Sequence, residues 1–361
     1  MQNNRENTLL NPYDLLTDKF PNAVYENDRF ITFSDEQKEY DLIKHSTAIK
    51  LNFSNSFIQL DGNDSLDFLH RISTNDLKLL TENQIKETIF TNEKGRILDK
   101  TYVVHQKEKF YLLGSEKNNK LLESWLNRYI IMEDIKVSDL TNEFVKAEFF
   151  GAQAESFLIS LCGNTISDAV ENIFYSTELL EKKVKFFKSK YNDKIPRFIF
   201  LISSNDFTDL FYNLFEIKSV FEFGFIGEKA FDLFRIENVL PKYPNELNDN
   251  FNPYETNLVD CISFTKGCYI GQEVIARLDT YDKVQRVLKK VCFNDKADLS
   301  EDNLPKEILT EDENEAGIIT SFFYSELLNK KIGLALVRKK YLEQNLFVKI
   351  DNQKFEIKIK D

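Results

Sequence analysis

The chain reads as an α+β protein, two mixed blocks followed by a small all-strand domain, and three observations carry that reading. Strand and helix patterns alternate in two similar stretches, roughly 48–131 and 133–215, as layered α+β units do rather than one doubly wound sheet. One amphipathic helix pattern, 227–240, stands after them. From about Val284 the pattern changes to short strands alone. A chain of 361 residues has room for two or three such cores.

Ala48 to Leu60 has strand alternation at Ile49, Leu51 and Phe53, and Asp61-Gly62 turns it into a helix that Asn63 or Asp64 can cap and that carries Leu66, Phe68, Leu69 and Ile72. Thr88 to Thr91 and Ile97 to His105 are strands joined by the hairpin turn Asn92-Glu93-Lys94-Gly95-Arg96. A third strand, Phe110 to Leu113, precedes a helix from about 118 to 131 whose Leu122, Trp125, Leu126 and Tyr129 share a face. The second block has strands at Lys146 to Phe150 and Arg197 to Ser203, with helices at 152–161 and 206–215. At the end, Val287 to Phe293, Ile318 to Phe323, Ile332 to Val337, Leu346 to Ile350 and Phe355 to Ile359 suit a small barrel or sandwich. The run Asn294 to Ala316, with nine acidic residues against two lysines, reads as a solvated loop.

Composition excludes several functions. A net charge of -12 argues against general nucleic-acid binding, which rests on Lys and Arg at phosphates. Four cysteines (162, 261, 268, 292) without a C-x-x-C pair, and three scattered histidines (His45, His70, His105), do not make a metal cage or a secreted disulfide scaffold. No apolar run approaches the ~20 residues of a membrane span. The N-terminal residues show neither a signal core nor an Arg-rich transit pattern, so a reducing cytoplasm is the expected compartment.

The densest chemistry is Lys266-Gly267-Cys268-Tyr269-Ile270-Gly271-Gln272-Glu273. Gly267 and Gly271 suit a tight turn, and a helix beginning near Gly271 would set its amides beside Cys268. With Lys266 nearby, that arrangement would favour the thiolate. The plainer reading is a buried cysteine in a demanding turn, with Lys266 and Glu273 as an ion pair.

This octapeptide matches the K-G-C-[FY]-x-G-Q-E signature of the YgfZ-type folate-binding proteins, relatives of the glycine-cleavage T-protein (aminomethyltransferase). Three weaker passages agree in order: Gly62 to Leu77 resembles G-x-D-A-x-x-F-L…T-N-D-[VL], Gly95 to Lys100 resembles G-[GR]-I-[LV]-D-D, and Arg235-Ile236-Glu237…Pro241 resembles R-x-E-x-x-x-P. The resemblance covers roughly residues 45–350. It implies a three-lobed architecture: a discontinuous folate-binding domain (1–140 and 235–283), a second α+β domain (141–234) and a C-terminal β-barrel (284–361). It further implies tetrahydrofolate as ligand, support of iron-sulfur cluster assembly or repair in client proteins, and Cys268 as a reactive thiol. Candidate ligand contacts are Asp99, Arg96, Arg235, Glu237, Lys266, Tyr269, Gln272 and Glu273, with Gly267 and Gly271 shaping the turn.

Two departures bear on the alternative, aminomethyl transfer or demethylation of the T-protein type. Lys100 occupies the second acid's place after Asp99, and Asn192 to Ile199 replaces a Y-x-G-E-D-G-[FY]-E-I block. Asp99 is either the acid that faces pterin or amine or a surface acid paired with Arg96 or Lys100. Arg235 and Glu237 suit a ligand tail or an interdomain brace, with the brace favoured.

Overall fold

A computed structural model describes residues 12–192, 194–280, 284–294, 297, 299, 303–350 and 353–360. The chain divides into two compact units, Met1–Ser54 with Thr141–Phe231, and Asn55–Leu140 with Asp232–Asp361.

In the first unit a six-stranded sheet runs in the order Phe174–Leu179, Lys182–Tyr191, Ile195–Ser203, Phe144–Phe150, Thr47–Asn52, Phe223–Phe225. All pairs are antiparallel except the last. Alternation sends Phe149, Phe186, Phe198 and Phe200 to one face, where they pack with Phe157, Phe207 and Phe211 of the helices Ala154–Cys162 and Ser204–Glu216. The opposite alternation of Glu148 and Arg197 produces a buried polar network. Glu148 accepts from Arg197 Nη1 at 2.9 Å and Tyr191 OH at 2.7 Å, with Lys146 Nζ at 2.8 Å. Burial alone would push this carboxyl up, but Lys146 and Arg197 hold it well below the usual range.

The sequence boundary moves here. Ala48 to Leu60 is not one strand but two, Thr47–Asn52 and Asn55–Asp61, in different units. Because Ala48 pairs with Phe150 and Asn52 with Lys146, residues up to 54 group with 141–231 rather than with 55–140.

The second unit holds a five-stranded antiparallel sheet in the order Ile85–Thr91, Ile97–Gln106, Lys109–Glu116, Asn55–Asp61, Lys136–Asp139. Helices Ser65–Ile72 and Asn119–Tyr129 cover one face through Phe68, Leu69, Leu122, Trp125 and Leu126. The C-terminal strands close a six-stranded barrel, and Arg286–Phe293 pairs with Gln353–Lys360 to complete it. Its sixth strand, Lys306–Thr310, lies inside the acidic run that the sequence presents as a loop. Ile308 and Thr310 face the interior while Glu307 stays exposed, so period-two burial survives beneath the charge.

Within this unit Arg235 braces the last turns of the helix Glu228–Glu237, from Asp232 on, to the barrel. It donates to Asp232, to Ser321 Oγ at 2.9 Å and to Glu246 Oε2 at 3.5 Å, and Glu246 also accepts from Thr320 and Ser321 at 2.6 Å each. Arg235 is 3% exposed, so the ligand-tail role gives way to the brace. Arg96 acts similarly: it donates to Asn250 O at 3.0 Å and pairs with Glu255, whose other oxygen accepts from Arg286 of the barrel at 2.7 Å.

Candidate functional site

The segment 266–273 is fastened on both sides of its thiol. Lys266 is buried, and its Nζ donates to His70 O, to Ser73 O at 2.7 Å and to Asn75 O at 2.8 Å. These carbonyls gather at the C-terminal end of the helix Ser65–Ile72, where the last carbonyls lack intrahelical donors and a cation is favoured. Burial pushes the Lys266 ammonium down to about 8. The lysine nitrogen is therefore held by these carbonyls, and the expected partner Glu273 pairs with Arg277 instead.

Past the thiol, Tyr269 sinks into a cluster with Ile262, Ile275 and Tyr254, and burial pushes its hydroxyl up to about 12. Thr91 Oγ1 donates to Ile270 O at 2.7 Å, which ties the loop to the hairpin strand. Gly271 has φ +82°, and a Cβ there would lie 2.6 Å from Asn92 O and 3.0 Å from Gly95 Cα. Only a residue without a side chain lets the loop sit this close to the hairpin turn. Gly267 differs, since a Cβ there would meet nothing within 4 Å, so the turn does not need this glycine on steric grounds.

The helix Gln272–Thr280 follows, with Gln272 N donating to Tyr269 O at 3.2 Å. Glu273 is exposed and pairs with Arg277 one turn on. Between the two fastenings Cys268 is exposed, whereas Cys261 is buried and Cys162 and Cys292 are partly buried. Burial pushes the Cys261 thiol up to about 12 and that of Cys162 up to about 11. The arrangement presents one accessible thiol on a loop held at Lys266, Tyr269, Ile270 and Gly271.

Asp99 is neither surface acid nor open ligand contact. It is fully buried, and its carboxylate accepts from Ser115 Oγ at 2.6 Å and from Ser115 N at 3.2 and 3.1 Å. Gly114 makes room for it, because a Cβ there would lie 2.4 Å from Asp99 Oδ2. The pairing Phe90↔Asp99 follows a register shift and places the acid on the helix-covered face, near Asn118 before the helix Asn119–Tyr129. Burial pushes its carboxyl up to about 6 against the pull of the Ser115 donors.

The folded chain holds the Asp99 proton more tightly than the unfolded one, whose pKa is near 3.9. The associated stability is present below pH ~4 and lost as pH rises through about 6. Asp99→Asn should therefore gain on wild type between pH 4.5 and 7.5, by up to ~3 kcal/mol, in urea midpoints. A variant that loses ground over that interval would contradict the buried, proton-retaining Asp99.

Lys100 turns away from Asp99 and pairs with Glu87 Oε2 at 3.1 Å. Neither residue of this pair is among the candidate contacts that the motif implies. Glu237 is half-buried at the end of its helix, where burial raises its pKa against the opposing pull of Lys290. Among the described residues no group of three or more His, Cys, Asp or Glu could hold a metal ion. No helix is long and apolar enough to cross a membrane, again among the described residues.

Comparison with known proteins matches residues 23–266 to the GCVT N-terminal domain and residues 293–361 to the glycine cleavage T-protein C-terminal barrel domain. Similar sequences include an aminomethyltransferase of Staphylococcus carnosus, 23% identical over 337 residues (91% of this chain, 89% of the relative). An aminomethyltransferase of a Thermoanaerobacter strain is 25% identical over 302 residues (79% and 77%). A putative chloroplastic transferase of Arabidopsis thaliana is 27% identical over 285 residues (78% and 63%). The crystal structure of the glycine cleavage system aminomethyltransferase T from Bartonella henselae aligns with a TM-score of 0.81 at 16% identity, covering 97% of this chain and 96% of that one, a likeness of fold. With both characteristic domains present in order, the chain belongs to the glycine-cleavage T-protein family.

Proposed function

We propose that the protein is a reduced-folate-binding member of this family, of the YgfZ type, whose working group is the Cys268 thiol and which supports iron-sulfur cluster assembly or repair in client proteins of a reducing cytoplasm. The observation that carries the reading is the exposed thiol on a loop fastened at both sides. A thiol set this way meets a partner without the loop first having to order, which lowers the entropic cost of engagement. The cluster belongs to the client, since the four cysteines differ in burial and join no group of three or more metal-ligating side chains among the described residues.

The chain's donor set suits tetrahydrofolate, whose bound pterin supplies amide-like edges and nitrogens that can carry one carbon. A carboxylate and an ammonium, Glu87 and Lys100, lie partly exposed, and Glu87 accepts from Cys261, whose apolar cluster includes the half-buried Tyr243, so polar grip and an aromatic side chain of the kind such a ring needs occur in one region of the fold.

The names of the relatives favour a second reading over this one, a folate-dependent aminomethyltransferase. Under it Asp99 would receive the substrate amine, and the enclosure of Asp99 together with Lys100 at the second acid's place weighs against it. Anaerobic calorimetry with tetrahydrofolate tests the shared premise: wild type and Cys268→Ala should bind alike. Absence of binding in wild type overturns both readings, and folate-dependent turnover of an aminomethyl donor, abolished in Asp99→Asn, reverses their order.

A further inference from the structure

Successive residues of a strand face opposite sides of the sheet. Asp99 takes the side covered by helices in the strand Ile97–Gln106, so Lys100 and Tyr102 take the other, with Ile89 opposite Lys100 and Glu87 opposite Tyr102. On that second face Lys100 and Glu87 form their pair with side chains 26% and 28% exposed, open enough to meet a ligand and sheltered enough for a charge to count. The Cys261 thiol donates to Glu87 Oε2, the oxygen that Lys100 also holds, at 3.6 Å. Ile89, Ile97, Leu258 and Tyr243 pack around Cys261 as an apolar floor.

We propose that Glu87 and Lys100, rather than Asp99, grip the amide-like edge of the pterin. The proposal rests on the folate reading above. Both oxygens of Asp99 are taken by Ser115 at zero exposure, so this acid cannot meet a ring without the fold opening. A pterin presents its 2-amino group and N3–H as neighbouring donors, with O4 as the acceptor beside them. A carboxylate accepts from the two donors and an adjacent ammonium donates to O4, so the pair matches the edge in both sign and order. Cys261, its thiol kept neutral by burial, orients the carboxylate without being a nucleophile.

The departure at Lys100 then has a physical content. Where the resembling strand sets a second acid, this chain sets a cation and takes its carboxylate from the neighbouring strand. The face keeps one negative group, but that group arrives already paired, which suits an edge carrying both donors and an acceptor better than it suits a lone ammonium.

The test titrates tetrahydrofolate anaerobically into wild type, Glu87→Gln, Lys100→Met and Lys100→Arg, after their melting temperatures have been compared. p-Aminobenzoylglutamate, which lacks the pterin, is the second probe. Glu87→Gln should weaken tetrahydrofolate binding about tenfold or more, Lys100→Met should weaken it less, and Lys100→Arg, which keeps the charge, should largely retain it. p-Aminobenzoylglutamate should bind all four proteins alike. Unchanged tetrahydrofolate affinity in folded Glu87→Gln and Lys100→Met overturns this assignment and leaves the folate reading standing. Equal losses for the two probes also overturn it, by placing the tail rather than the ring at the pair. Absence of binding in wild type overturns the folate reading and this assignment with it.

Discussion

Lys266→Met is expected to destabilise the second unit by ~2–4 kcal/mol and to loosen the thiol loop. Methionine keeps most of the stem's packing but offers no donor, so the carbonyls of His70, Ser73 and Asn75 lose the ammonium that satisfies them. Burying that ammonium is itself costly, as its lowered pKa records, and the three acceptors offset the cost. Removing the nitrogen therefore leaves the enclosed acceptors as the larger loss.

The same residue makes a second readout. The folded chain releases the Lys266 proton at about 8, while the unfolded chain holds it to ~10.4, so the unfolded state binds more protons between those values. Wild type should gain stability over Lys266→Met as pH rises from 8 to 10. Urea midpoints across that range, with amide exchange at residues 266–271, check both parts. Equal midpoints and unchanged exchange would mean that Lys266 is not the fastening.

Much of this architecture is legible in the sequence because the apolar periods are strong. The strands at 287–293, 332–337 and 346–350 emerge as short apolar runs without helical spacing, and the helices bearing Leu122, Trp125 and Leu126, or Phe207 and Phe211, emerge from their spacing. The strand Lys306–Thr310 is hidden because acidic neighbours mask a short alternation whose inward members are only Ile308 and Thr310. The direction of Asp99 is hidden for another reason: a register shift near Phe90 and Thr91 sets which face the acid takes, and no residue announces it.

The candidate loop was legible as a motif, not as a set of contacts. Lys266 lies two residues from Cys268, which suggests an electrostatic partner, yet its nitrogen finds carbonyls nearly two hundred positions earlier in the chain. Glu87 and Lys100 look like ordinary surface charges thirteen residues apart. The usable signal was the substitution at 100 itself, since a cation replacing an acid on a half-buried strand calls for a carboxylate opposite or diagonal to it.

Cys268→Ala is expected to leave the fold intact and abolish function. The thiol is exposed and the fastenings lie at its neighbours, so stability should change by no more than ~0.5 kcal/mol. The loop keeps its position, and tetrahydrofolate binding should be unaffected because the proposed grip is on a different segment. What disappears is the exposed thiol. Cys261 cannot substitute for it, being buried and with its thiol pushed up to about 12.

The decisive measurement is the activity of an iron-sulfur enzyme in cells lacking this protein and supplied with wild type, Cys268→Ala or Gly267→Ala, each matched for folded protein level. Wild type and Gly267→Ala should restore the activity, because a Cβ at 267 enters open space, while Cys268→Ala should leave it at the level of cells without the protein. Full restoration by Cys268→Ala would contradict the account at its centre and leave the fastened loop without a working thiol.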